Sequence, residues 1–250
     1  PAMSTFAFGT SQGAQLPGDT LGPAIQAGLG EITLDDITTA ETFVLSVIVD
    51  DSSSISSAGN EDNVRTAFNL IQEALLGSKS AATIVADCWQ LNAGRLFPYV
   101  ALENAPRLDS SNYRAMGCTP LYDRTHSALE ALKLKVEEFE NGGVAVRGVV
   151  VIISDGADYG SRLRARDVRL LAEELLRTEQ FLVMAMGIDD GSTDFRAVFD
   201  SMGISGKFVM TPGNSASEIR RAAQVISQSA VRASQTAGSF SKVVLGGFGS

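Results

Sequence analysis

Two short apolar runs in this chain, residues 43–49 and 149–153, are followed at once by acid: Asp50-Asp51 after the first, Ser154-Asp155 after the second. A run of five to seven apolar, largely β-branched residues bounded by polar turn formers is a strand buried on both faces, as in the middle of a parallel sheet. Other strand-like runs fall at 82–89, 96–102, 181–188 and 207–210, which makes six with 43–49 and 147–153. Between them apolar residues recur at helical spacing. One stripe is Val64, Ala67, Phe68, Ile71 and Leu75, and another is Leu121, Ala128, Leu129, Leu132, Val136 and Phe139. A third is Val168, Leu171, Leu175 and Leu176, and a fourth is Ile219, Ala222, Ala223, Ile226 and Ala230.

Strands alternating with amphipathic helices predict an α/β fold: a doubly wound, mostly parallel sheet with helices on both faces. The link Asn92-Ala93-Gly94-Arg95 is too short for a helical crossover. The runs on either side of it are therefore an antiparallel hairpin, and 96–102, which holds Pro98, is an edge strand. Gly142-Gly143 ends the second helix. A length of 250 residues suits one sizeable domain, placed at 41–237, between a Gly-rich segment 1–40 of unassigned role and a Gly/Ser-rich tail 238–250. Pro1-Ala2 ahead of Met3 reads as an expression remnant.

The predicted topology carries a functional consequence. In an open wound sheet, ligands bind beyond the carboxyl ends of the strands. Asp50 and Asp155 both emerge there, and so does Thr119, just ahead of the helix that begins near Leu121. Alternation along Asp50-Asp51-Ser52-Ser53-Ser54 turns Asp50, Ser52 and Ser54 into one turn. The convergent groups are two carboxylates and three hydroxyls. Such hard oxygen donors select Mg²⁺, with Mn²⁺ or Ca²⁺ as competitors, over Zn²⁺ or Cu²⁺. Taken singly, each segment could instead be a helix cap or a turn.

The Asp-x-Ser-x-Ser spacing at 50–54, the Thr119-Pro120-Leu121 segment and the strand ending in Ser154-Asp155-Gly156 together resemble the von Willebrand factor A (vWA) family and its metal-ion-dependent adhesion site. The resemblance spans about residues 43–235. It implies a six-stranded, mostly parallel sheet with one antiparallel edge strand. It also implies that Ser52, Ser54 and Thr119 coordinate the ion through their hydroxyls, and Asp50 and Asp155 directly or through water. The function it implies is binding, with the ion accepting an Asp or Glu of a protein partner. Three positions depart from the family pattern: Asp51, which should point away from the ion, Ser53 in place of a common Gly, and Cys118, read as a packing residue.

Composition narrows the alternatives. A net charge of −9 disfavours nucleic-acid binding, and no apolar stretch approaches the roughly 20 residues of a membrane span. Two cysteines and no visible secretion signal fit a reducing, cytoplasmic setting, with Cys88 a buried thiol. The chain resembles stand-alone bacterial cytosolic vWA proteins, such as those of tellurite-resistance systems. That style implies an adaptor for AAA-type ATPases, kinases or phosphatases. The alternative is a Mg²⁺-dependent hydrolase or an accessory subunit of such a complex. The only histidine, His126, sits on the helix after Thr119 and reads as a partly exposed helix residue; with one histidine and no nucleophile–base pair, no enzyme is expected. Gly9-Thr10-Ser11-Gln12-Gly13 matches a hydrolase elbow, but Pro17 and Gly18 follow where a helix is needed. Asp189-Asp190-Gly191 reads as a turn. Arg162, Arg164, Arg166 and Arg169 read as a solvated face, with Arg162 nearest the metal loop.

Overall fold

Each of the two acid-tipped runs is a central strand, and their register sets the two acids side by side. The computed structural model describes residues 41–78 and 83–235, so the Gly-rich opening, the tail and residues 79–82 lie outside it. The strands are β1 (Glu41–Val49), β2 (Ile84–Gln90), β3 (Gly94–Ala101), β4 (Ala145–Ser154), β5 (Phe181–Gly187) and β6 (Val209–Met210). They form one sheet in the order β3-β2-β1-β4-β5-β6, parallel throughout except for the antiparallel β2–β3 pair at one edge. In the β1–β4 ladder Val49 lies opposite Ile153, so the two strands end level.

Alternation along the strands divides the core in two. Phe43, Leu45, Val47 and Val49, with Val149, Val151 and Ile153, face one side. They are covered by α1 (Ser53–Ser57), α2 (Glu61–Leu76) and α6 (Ala216–Gln235). Val44, Ile48, Val150 and Ile152 face the other, beneath α3 (Leu121–Asn141), α4 (Ala165–Arg177) and α5 (Phe195–Ser201). From Thr42 to Val49 and from Gly148 to Ser154 the two central strands are buried, so function is left to the loops at their ends.

The predicted helices and the edge hairpin are in place, with three local differences. The hairpin turn is Leu91–Asn92–Ala93, and β3 starts at Gly94, where φ is +86°. Residues 207–210 contribute only a two-residue strand, because Gly206–Phe208 is a 3-10 turn. The short helices α1 and α5 were not anticipated. In α1 only Ile55 is buried, which leaves no periodic signal.

Among the described residues, no helix is long and apolar enough to cross a membrane.

Candidate metal centre

Asp50 follows directly from the β1–β4 pairing. Its N–H donates to the Ile153 carbonyl at 2.8 Å, which extends the ladder by one bond and brings its side chain to the 154–156 turn. There the carboxylate is held at both oxygens: Oδ1 accepts from the Ser52 N–H at 2.8 Å and Oδ2 from the Ser154 hydroxyl at 2.6 Å. The Asp50 carbonyl accepts from the Tyr113 hydroxyl, so the residue is fixed at backbone and side chain alike. It is fully buried, and that burial raises its pKa above the ordinary carboxylate range against the hydrogen bonds that lower it.

The other oxygens join in a chain. Ser52 Oγ and Ser54 Oγ are 2.9 Å apart, and Ser54 Oγ donates to Asp155 Oδ1 at 2.7 Å. Thr119 arrives from a different segment, anchored through a reciprocal backbone pair with Tyr159 (3.0 and 2.8 Å). A β-carbon placed on Gly156 would lie 3.9 Å from Thr119 Oγ1 and 4.0 Å from Ser54 Oγ, so both hydroxyls border the same small space beside Asp155. Glycine at 156 leaves that space open.

One atom in this arrangement has no hydrogen-bond partner. Asp155 is 1% exposed, and its Oδ2 is buried without a donor. Burial pushes its pKa up to about 6; the charges of Asp50 and Asp190 act in the same direction, and the Ser54 hydroxyl opposes them. An unpaired buried carboxylate oxygen is costly unless a cation or a proton meets it. The donor set is hard oxygen only. Among the described residues, no three His, Cys, Asp or Glu side chains gather as a metal cluster. The centre is thus rich in hydroxyls and poor in formal charge, which suits a divalent ion that keeps electrophilic character.

All five sequence-predicted residues therefore meet at one end of the sheet. Asp51 turns away, as expected, and binds the hairpin turn: Asn92 N–H at 2.7 Å and Ala93 N–H at 3.0 Å. Cys118 corrects the packing assignment, because it is exposed on the loop surface. Asp189 and Asp190 form side-chain-capped turns, with Asp190 accepting from the N–H groups of Ser192 and Thr193. Arg162 is exposed, and its backbone N–H is held by Asp123. His126 is half-buried and lies 3.2 Å from Glu130 on its own helix. Sequence reasoning missed Ser154 as the partner of Asp50, although it stood in the quoted motif, and it missed Tyr113 and Asn92, whose spacing carries no signal.

The fold is that of a vWA domain. The pilus adhesin SpaC from Lactobacillus rhamnosus GG superposes with a TM-score of 0.57 over 78% of this chain and 31% of its own, at 13% identity. Proximal thread matrix protein 1 from the mussel byssus, in a structure with a zinc-occupied adhesion-site motif, superposes at 0.53 over 77% of this chain and 46% of its own, at 18% identity. The chain thus matches less than half the length of each. No protein-family model and no curated protein matches the sequence.

Proposed function

We propose that the protein is a non-enzymatic, divalent-cation-dependent protein-binding module. Asp50, Ser52, Ser54, Thr119 and Asp155 would hold the ion, Mg²⁺ by preference, with Mn²⁺ or Ca²⁺ able to replace it. The observation that carries the reading is the buried, unpartnered Asp155 Oδ2 beside the hydroxyls of Ser54 and Thr119. A bound divalent ion supplies a hard electrophilic centre for an incoming carboxylate oxygen. The protein's own groups fix the site: Ser154 and the Ser52 N–H orient Asp50, and Tyr159 anchors Thr119.

The surroundings favour a macromolecular ligand. Among the described residues, Tyr159 and Met116 are the two most exposed large hydrophobic side chains, at 73% and 64%. Both sit on the two segments that carry Thr119 and its backbone partner. Exposed apolar groups next to a polar centre are the makings of an interface. The partner would present an Asp or Glu within a neutral or basic surface, since the chain carries a net charge of −9. A cytoplasmic adaptor role toward an AAA-type ATPase, a kinase or a phosphatase is the setting we propose.

Calorimetry with Mg²⁺ on the wild type and on Asp155→Ala tests the centre. Capture of host proteins in Mg²⁺ and in EDTA, with both proteins as bait, tests the role. Partners retained equally in EDTA, or equally by Asp155→Ala, would falsify it.

A further inference from the structure

Thr119 is the one member of the oxygen set that neither a strand end nor the helical turn after β1 places, and its backbone pair with Tyr159 fixes it from one side. Asp50, Ser52, Ser54 and Asp155 stand at strand ends or in the helical turn that follows, whereas Thr119 ends a stretch without regular structure ahead of α3. Its position depends on what holds residues 116–119, and each is held from outside. The Met116 N–H donates to the Asp51 carbonyl at 2.6 Å. Gly117 exchanges bonds with Ser53: its N–H donates to Ser53 Oγ at 2.9 Å, and its carbonyl accepts from the Ser53 N–H at 3.1 Å and hydroxyl at 3.0 Å. The Cys118 carbonyl, in the residue adjoining Thr119, accepts from Asn92 Nδ2 at 2.7 Å.

We propose that Asn92 is a positioning residue for Thr119, and that Asp51 holds Asn92 in place; this rests on the metal-centre reading above. Asn92 belongs to the β2–β3 turn, and its amide points at two acceptors, the Cys118 carbonyl and Asp51 Oδ1 (3.2 Å), which fixes which end is nitrogen. Its oxygen end occupies the space against Gly117. That glycine has φ +100°, and a β-carbon on it would stand 2.7 Å from Asn92 Oδ1, so the carboxamide and the glycine fit only together.

The turn that carries Asn92 is rigid in its own right. The Leu91 N–H donates to the Val49 carbonyl at 3.2 Å, and Arg124 donates to the Leu91 carbonyl at 3.1 and 3.2 Å. Asp51 takes the N–H groups of both Asn92 and Ala93. The acid next to Asp50 thereby acts as a clamp that passes the position of β1 through the edge hairpin to the Thr119 loop. Groups that orient ligands from outside the coordination shell commonly account for about 10–100-fold in metal affinity.

The test is a double-mutant cycle read by calorimetry with MgCl₂, on Asn92→Ala, Thr119→Ala and the pair, with thermal melts in EDTA alongside. Asn92→Ala should weaken Mg²⁺ binding by about 10–100-fold. It should add little to Thr119→Ala, because a residue acting through Thr119 has nothing left to position. In EDTA the Thr119 methyl resonance should shift in Asn92→Ala. Asn92→Ser, which a tight turn accepts but which cannot reach Cys118, serves should Asn92→Ala fail to fold. If Thr119→Ala loses affinity while the Asn92 variants bind Mg²⁺ as the wild type does, Asn92 is structural only and the proposal falls. Fully additive losses overturn it as well. If Thr119→Ala itself binds normally, the metal-centre reading fails first and takes this inference with it.

Discussion

The Ser154 hydroxyl donates a hydrogen bond to Asp50 Oδ2 at 2.6 Å, joining residues 104 positions apart in a bond that the level ends of β1 and β4 allow. The same serine accepts from the Gly156 N–H at 3.3 Å, so it ties the first acid of the centre to the turn that carries the second.

Removing that hydroxyl should therefore be felt in two ways. Ser154→Ala leaves Asp50 Oδ2 buried without its donor, a loss of about 1–3 kcal/mol in stability. It also raises the Asp50 pKa further, because a bond that lowers it is gone. Urea unfolding in EDTA at pH 7.5 should show the lower midpoint, and calorimetry a weaker Mg²⁺ affinity. An unchanged midpoint would show that Asp50 does not depend on this bond.

Asp155 gives the site a pH signature. Its pKa is raised from 3.8 to about 6, chiefly by burial. A carboxyl that binds its proton more tightly when folded adds stability below its unfolded pKa, and that contribution is lost as pH rises through about 6. In EDTA, Asp155→Asn should thus melt above the wild type at pH 7.5, with the gap closing by pH 5. Metal affinity has the opposite trend, since the ligand must be ionised: Mg²⁺ binding should weaken as pH falls through about 6. At a hundredfold excess over Kd, Mg²⁺ should stabilise the wild type by about 2.7 kcal/mol and the variant not at all. A pH-independent difference between the two proteins would remove Asp155 from this role.

Much of this site could be read before the structure because its signal lies in strand ends. Runs 43–49 and 149–153 are apolar on every residue but Ser46, so their burial and parallel pairing follow from composition alone, and the acids after them must share an edge. Ser46 is the exception with a reason: its hydroxyl donates to the fully buried Asp87 at 2.5 Å. The supports were not legible, since Asn92 and Tyr113 act through contacts with residues 26 and 63 positions away that no local pattern encodes. Cys118 was misjudged for a related reason. Its neighbours Gly117 and Thr119 are tied inward by backbone bonds, which leaves its own side chain facing out.

The buried ion pair at the sheet edge gives a stability test away from the centre. Asp87 accepts from Arg95 Nη2 at 2.6 Å and from Trp89 Nε1 at 2.8 Å, and the guanidinium lies 4.7 and 4.6 Å from the Trp89 and Tyr99 ring centres. Arg95→Met strips the cation from a carboxylate that burial already penalises, and should cost about 3–5 kcal/mol. Adding Asp87→Asn should recover part of that loss in urea unfolding. A double variant no better than Arg95→Met would mean that the arginine's packing, not its charge, is what matters.

The exposed rim gives the last test, and it separates partner recognition from metal binding. Tyr159 contributes to Thr119 only through its backbone N–H and carbonyl, and the Met116 N–H likewise bonds to Asp51 independently of its side chain. Truncating either side chain should therefore leave the centre intact. Both side chains project into solvent, and burying an exposed tyrosine or methionine at an interface is worth roughly 1.5–3 kcal/mol. Tyr159→Ala and Met116→Ala should keep wild-type Mg²⁺ affinity and melting temperature, yet each should retain about tenfold or more less of any protein captured by the wild type in Mg²⁺ and released by EDTA. If either variant lost Mg²⁺ affinity, its side chain would be a support of the centre instead. If both captured that protein as the wild type does, the docking surface would lie on another side of the ion, toward the Asp190 turn whose charge already reaches Asp155.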